Sequence, residues 1–341
     1  MGTPPPSGPY FDGPISMVTE TMERSDKQTA ILDWLLSRAR AIDTAPVDNL
    51  TNFTTKYERE AAPFVLPIDR AVAGGFLADR VGYAFAAGYG AALSRLVPGF
   101  LPGKIAALCV TETGGGHPRA IETRLVGAGQ TRGGAASWSL SGSKRFVTAA
   151  LEAELLYVAA STGIGVDGKN RIKIVRVSRD APGVTITAMA DLPFVPEISH
   201  GVVTLSDVAV RDKDILAGDG YLDYIKPFRT IEDIHVFGAI AGYLCRIASV
   251  FSWPHEVLEE LLTLIVAIRA LAKEEPLSAA VHIALGGLEV LFSRFFEKTD
   301  PLWAGVDPET RSRWLRDRVL LTVAGKAREA RRAAAWRHYS F

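Results

Sequence analysis

The chain reads as an α+β protein built in three consecutive parts: helices first, a β domain in the middle and a helical bundle last. Three observations predict this order. Apolar residues recur at helical spacing from Asp26 to Leu96, and between Ile105 and Val210 they give way to short β-branched runs separated by turn signals. After Gly218-Asp219-Gly220 the helical period returns and holds to the end. The expected boundaries are a disordered leader over 1–25, an N-terminal helical domain over 26–104, a middle β domain over 105–217 and a C-terminal helical bundle over 218–341.

The leader carries Pro4, Pro5, Pro6, Pro9 and Pro14 among glycines, a composition that buries too little apolar surface to offset chain entropy. From Asp26, residues Ile31, Trp34, Leu35, Ala39 and Ile42 form one helical stripe, with Ser25 or Asp26 as N-cap. A second helical block, Gly74 to Leu96, has Ala and Gly on nearly every face, which predicts close packing against other helices. Its stretch from Val81 to Leu93 is too short to cross a bilayer and reads as a buried helix.

Seven runs then read as strands: Ile105–Thr111, Ala120–Val126, Trp138–Thr148, Leu155–Ser161, Arg171–Ser178, Val184–Met189 and Gly201–Val210, with Ser141-Gly142 interrupting the third. Short strands with tight turns and no helical pattern between them predict an antiparallel barrel or sandwich. In the last third, Val236, Ile240, Tyr243, Leu244, Ile247 and Val250 share a stripe. Further helices are expected over Glu256–Lys273, Ala279–Lys298 and Pro308–His338, separated by Pro254, Pro276 and Pro301.

Composition narrows the function. Of 341 residues, 48% are hydrophobic and 22% charged, enough for a large core. Lys plus Arg and Asp plus Glu both total 38, so no net field favours nucleic acid or an anionic membrane as a partner. Cys109 and Cys245 lie in apolar runs and cannot form a disulfide framework; with no recognisable signal peptide, a cytoplasmic location is expected. The six histidines show no ligand spacing, so no metal site is expected.

Three segments carry the chemistry. Leu108-Cys109-Val110-Thr111-Glu112-Thr113-Gly114-Gly115-Gly116-His117-Pro118 ends a strand in a glycine loop, where backbone can approach a ligand closely. It is neither a P-loop nor a dinucleotide fingerprint, since a strand follows it. Trp138 to Thr148 contains Ser141-Gly142-Ser143-Lys144-Arg145-Phe146-Val147-Thr148, and Val203 to Val210 reads Val-Thr-Leu-Ser-Asp-Val-Ala-Val.

In this order these segments resemble the signatures of the acyl-CoA dehydrogenase family of FAD-dependent flavoproteins, the first matching a Thr-Glu-Pro-Gly-Ala-Gly-Ser-Asp motif. The resemblance covers nearly the whole chain after the leader and implies that family's helix, β, helix architecture. It further implies FAD as cofactor, its isoalloxazine ring held at the strand ends by Val110, Thr111, Phe146 and Thr148, with Gly116 in the approaching loop. An acyl-CoA thioester is the implied substrate, an electron-transferring flavoprotein the implied acceptor, and a homo-dimer or homo-tetramer the implied assembly.

The chain departs from the family pattern at several points. His117-Pro118 replaces a Ser-Asp pair, Phe146 stands where a Trp commonly covers the flavin, and no Arg-x-x-Phe-Gly segment follows. Aligning Arg316-Asp317 with the Arg-Asp ahead of the family's usual C-terminal glutamate puts Gly325 at the position of the base. A minority branch places that glutamate at the start of the first long bundle helix, which here falls on Glu232.

Glu232 shares the stripe of Val236, Ile240 and Tyr243 and is therefore expected to face inward as the base that takes the acyl α-proton. The competing reading makes Thr230 an N-cap with Glu232 and Asp233 in the first turn, where acids complement the helix dipole. Arg229 is read either as an anchor for an acid or phosphate or as a surface residue. Lys326, Arg328, Arg331, Arg332 and Arg337 on the last helix are read as a solvated face or as a contact for coenzyme A phosphates or a neighbouring subunit. Two alternatives to the dehydrogenase stay open: a flavin-dependent oxidase or monooxygenase of the same fold, and a non-catalytic scaffold or partner subunit that has lost the flavin site.

Overall fold

The structure, a computed structural model, describes residues 31–127 and 138–339. The expected leader, the cap at Ser25 or Asp26 and the start of the first helix lie outside the described residues. The chain is helical over 31–38 (α1), then over α2 (Leu50–Ala61), α3 (Pro67–Leu77) and α4 (Val81–Leu96). α2 is a helix that no apolar period in the sequence announces. It starts at Asn49, whose side-chain oxygen accepts from the Asn52 N–H at 2.9 Å, and it buries Leu50, Phe53 and Tyr57. The helical block expected from Gly74 begins earlier, at Pro67, and breaks at Ala78–Arg80, where the Asp79 carboxylate accepts from the Val47 N–H at 3.0 Å.

All seven expected runs form strands: β1 (Ala106–Cys109), β2 (Arg124–Gly127), β3 (Trp138–Thr148), β4 (Leu155–Ile164), β5 (Asn170–Ser178), β6 (Val184–Ala188) and β7 (His200–Val210). They make one curled sheet, a half-barrel. β4 pairs antiparallel with β5 on one edge; along the other it pairs parallel with β1 and then β2. β2 passes antiparallel to β3, β3 to β7 and β7 to β6. The inner face packs Cys109, Leu140, Val147, Leu156, Val158, Val175 and Val203 into a core of its own.

The bundle comprises α5 (Lys226–Val250), α6 (His255–Leu271), α7 (Ala279–Thr299), α8 (Pro308–Asp317), α9 (Leu320–Val323) and α10 (Gly325–His338). The last expected helix is thus three. Thr230 is not an N-cap: a π-type turn over Gly220–Ile225 runs directly into α5, and its cap is Asp219, which accepts from the Tyr221 and Leu222 N–H groups. Gly220–Val250 and Ala279–Gly305 are both long and apolar enough to cross a membrane; the apolar window of the first is 83% buried within the protein and that of the second 33%.

Close helix packing is built by small residues, as the Ala- and Gly-rich composition implied. A Cβ on Gly75 would lie 1.8 Å from the Ala239 carbonyl oxygen, and one on Gly242 would lie 2.0 Å from that of Val72. These glycines let α3 and α5 touch backbone to backbone. Buried Asp69 of α3 then pairs with Arg269 of α6 at 2.6 Å, tying the first part of the chain to the last. Gly75→Ala and Gly242→Ala are each expected to lower the urea midpoint by the equivalent of about 1–3 kcal/mol or more, because neither backbone can yield. Gly287→Ala, exposed in α7 with nothing within 4 Å of the new methyl, should raise it by about 0.5–1 kcal/mol.

Candidate functional site

Where β1 ends, the chain turns tightly: the Glu112 N–H donates to the Gly115 carbonyl at 3.1 Å and the Gly115 N–H returns the bond at 2.9 Å. The Glu112 side chain points into the sheet. It pairs with fully buried Lys144 of β3 at 2.5 Å and accepts from the Glu122 and Thr123 N–H groups at 2.8 and 3.1 Å. Burial pushes the Glu112 carboxyl up, but the Lys144 ammonium and these donors outweigh burial and leave it below the usual carboxylate range. For Lys144, burial prevails over the attraction of Glu112, and its ammonium is held below the usual lysine range.

Directly after Lys144 the β3–β7 register shifts, with Lys144 opposite Val203 and Val147 opposite Gly201. Arg145 and Phe146 thus share one partner position, a β-bulge, and Phe146 sits in the left-handed region at φ 55°. Bulges of this kind re-aim side chains. Here the bulge is secured by the Arg145 N–H donating to the Thr111 carbonyl at 2.8 Å and by Lys144 Nζ donating to that of Val110 at 3.3 Å. Phe146 is left 54% exposed, with the Arg145 guanidinium 5.5 Å from the centre of its ring.

The ends of β1 and β3 form one wall of a cavity of about 260 Å³; α4, the start of α5 and the α9–α10 junction form the other. Val110, Thr111, Phe146 and Thr148 line the first wall and Glu232 the second, so five of the six residues singled out in the sequence meet in one space. Gly116 stands beside it: a Cβ there would be 3.4 Å from Thr111 Oγ1 and 3.7 Å from the Arg229 guanidinium. Ala324 and Ala327 also line the cavity. The segment aligned with the family's usual base therefore does reach this space, and a side chain at Gly325 would meet nothing within 4 Å.

Glu232 is surrounded by protein but keeps some accessibility. Burial pushes its carboxyl up to about 8; Asp233 adds to this, while Arg229, Arg331 and Arg328 act against it. Asp233 is held at 3.0 Å by Arg328 and at 2.6 Å by Arg331 of α10. The solvated-face reading of the last helix is corrected for these two cations: Arg328 is 9% exposed and also pairs with Glu289. Asp233 is likewise no capping acid, since it lies well inside a helix that starts earlier.

Sequence reasoning missed Tyr89, Phe228, Arg145 and Arg331 as lining residues. Tyr89 Oη accepts from the Leu108 N–H at 2.8 Å, and its ring meets Phe228 edge to face at 5.7 Å. Tyr89 and Thr148 also line a second cavity of about 640 Å³ between α2, α4 and the segment from Val97 to Ala106. Nothing local in the sequence marks this space. Among the described residues no three metal-ligating side chains converge, and Cys109 and Cys245 are buried free thiols.

The raised Glu232 carboxyl has a consequence for stability. A carboxyl raised in the folded state favours folding most below its unfolded value near 4.5, and that contribution is lost as pH rises through about 8. Glu232→Gln cannot ionise. Its melting temperature is expected to pull ahead of the parent's between pH 4.5 and 8 and to keep a constant lead above that, worth on the order of 1 kcal/mol for a partly accessible group.

No protein-family model matches the chain, and no curated protein matches it. Solved structures do. Butyryl-CoA dehydrogenase from Megasphaera elsdenii superposes with a TM-score of 0.62 at 15% identity, over 91% of this chain and 98% of that one. The prolyl acyl carrier protein oxidase AnaB gives 0.62 at 14% identity, over 92% and 99%. PigA, solved with FAD and proline, gives 0.59 at 12% identity, over 97% and 99%. Likeness at such identities is likeness of architecture, and on it, together with the order of its three parts, the chain adopts the acyl-CoA dehydrogenase fold.

Proposed function

We propose that the protein is an FAD-dependent oxidoreductase of the acyl-CoA dehydrogenase type, with Glu232 as the base. One observation carries this reading: the acid of α5 lines the same cavity as the four strand-end residues expected at the flavin. The cavity suits the ring rather than the whole dinucleotide, since about 260 Å³ lies just below the range of small-molecule sites, ~300 Å³ upward. Its donor set is also suitable. Backbone groups at Val110 and Thr111, the hydroxyls of Thr111 and Thr148, and the exposed face of Phe146 can hydrogen-bond and cover a flat heteroaromatic ring.

When bound there, FAD would accept the hydride that leaves the acyl β-carbon. Glu232 takes the α-proton, and its surroundings suit that task because a carboxyl raised by burial is a stronger base than an exposed one. Phe228 and Tyr89 keep water from the acid's side of the cavity. The adjoining 640 Å³ space, sharing Tyr89 and Thr148 with the acid's cavity, is read as the room for the acyl group of a coenzyme A thioester. An electron-transferring flavoprotein is the proposed acceptor. Assembly as a homo-dimer or homo-tetramer is supported by Val266, Val290 and Leu291, which are exposed on α6 and α7.

The test is flavin reduction by butyryl-CoA under anaerobic conditions. Purified protein should be yellow, and Glu232→Gln should stay yellow while its flavin is reduced at least ~10²-fold more slowly. For the parent, the reduction rate constant should rise with pH and level off above about 8, because the base must be ionised. Reduction of the variant at the parental rate removes Glu232 from the mechanism. A colourless protein that gains no thermal stability from added FAD points instead to a scaffold or partner subunit.

A further inference from the structure

The larger cavity, about 640 Å³, exceeds what a short acyl group can fill. At ~30 Å³ per water it has room for ~20 water-sized groups, whereas a butyryl chain brings only four carbons. Leu50, Phe53, Phe64, Leu96, Val97 and Phe100 line it, and all but Phe100 are buried. Walls of this kind gain more from an apolar occupant than from water. Gly90 lines it too, and a Cβ there would meet nothing within 4 Å, so open space reaches the backbone of α4.

The charged residues of the lining are already engaged or lie in solvent. Arg70 pairs with Glu58 at 2.6 Å and donates to the Ala61 carbonyl at 3.0 Å. Lys104 pairs with Glu154, and Arg95 is exposed. No buried cation of this lining is left to neutralise a carboxylate at the far end of a ligand, and an unpaired buried carboxylate is costly.

The two cavities meet at Tyr89 and Thr148, and Tyr89 is held there by the Leu108 N–H at 2.8 Å. The inference rests on the functional reading given above. An acyl group held with its α-carbon at Glu232 spends its first carbons in the smaller cavity and passes the remainder by Tyr89 and Thr148 into the larger one. We propose that the acyl substrate is a long apolar one, of about eight carbons or more and uncharged at its far end, and that the 640 Å³ cavity holds the part beyond the reacting carbons.

Isothermal titration of the purified full chain with coenzyme A esters tests this without relying on turnover. From butyryl-CoA to octanoyl-CoA the Kd should fall at least ~30-fold, because four methylenes leave water. Suberyl-CoA, of the same length but ending in a carboxylate, should bind no tighter than butyryl-CoA. Gly90→Leu fills open space without a clash and should bring the octanoyl Kd to within about threefold of the butyryl value. Octanoyl-CoA bound no tighter than butyryl-CoA overturns the inference, as does suberyl-CoA bound as tightly as octanoyl-CoA. A chain-length gain that Gly90→Leu leaves intact places the tail elsewhere and overturns it too. In each of these cases flavin reduction by butyryl-CoA in the same preparation leaves the functional reading standing. A protein that binds none of the esters, and whose flavin none of them reduces, loses both.

Discussion

The buried pair of Lys144 and Glu112 is the constraint on which the candidate site depends. Two charges removed from water are tolerated only when each is fully engaged, and here the engagement does the assembling. Glu112 holds the ammonium and two backbone N–H groups, while Lys144 also reaches the Val110 carbonyl. One ion pair thereby fixes the end of β1, the bulge of β3 and the turn leading into β2. Val110, Thr111, Phe146 and Thr148 are each one to four positions from one of its members. Their placement at one cavity follows from this staple rather than from any contact among themselves.

Much of the architecture could be read from periodicity, because strand and helix periods differ and each persists long enough to count. The run Trp138–Thr148 became β3 with the same limits, and the prolines at 254, 276 and 301 all fall between the long helices. α2 escaped because Leu50–Ala61 is rich in threonine and charge; its helix rests on an Asn49 cap and on Phe53 and Tyr57 reaching a core that other parts of the chain supply. The true start of α5 was missed because its stripe was counted only from Val236, whereas the helix runs on from the π-type turn that precedes Pro227.

The site was legible in its types and not in its partners. Glu232 could be placed on an inward stripe, since that needs only the helical period. Asp233 could not be assigned to Arg328 and Arg331, because 95 and 98 positions separate them. Nothing in the sequence singles out Arg145, which the bulge brings to the cavity; a two-for-one register shift is a property of strand pairing, which a single strand does not display. The pairing of Lys144 with Glu112 is likewise unmarked in the sequence, because the fold brings them together across 32 positions.

The grip of α10 on Asp233 makes the carboxy-terminal helix an electrostatic component of a site whose other members come from far earlier in the chain. Arg328 and Arg331 offset the repulsion that Asp233 exerts on its neighbour Glu232. A chain clipped ahead of this helix would keep the acid and the strand ends but lose both cations, leaving two adjacent carboxyls to compete for ionisation. Trimming the tail would therefore reset the charge balance around Glu232, not merely shorten the chain.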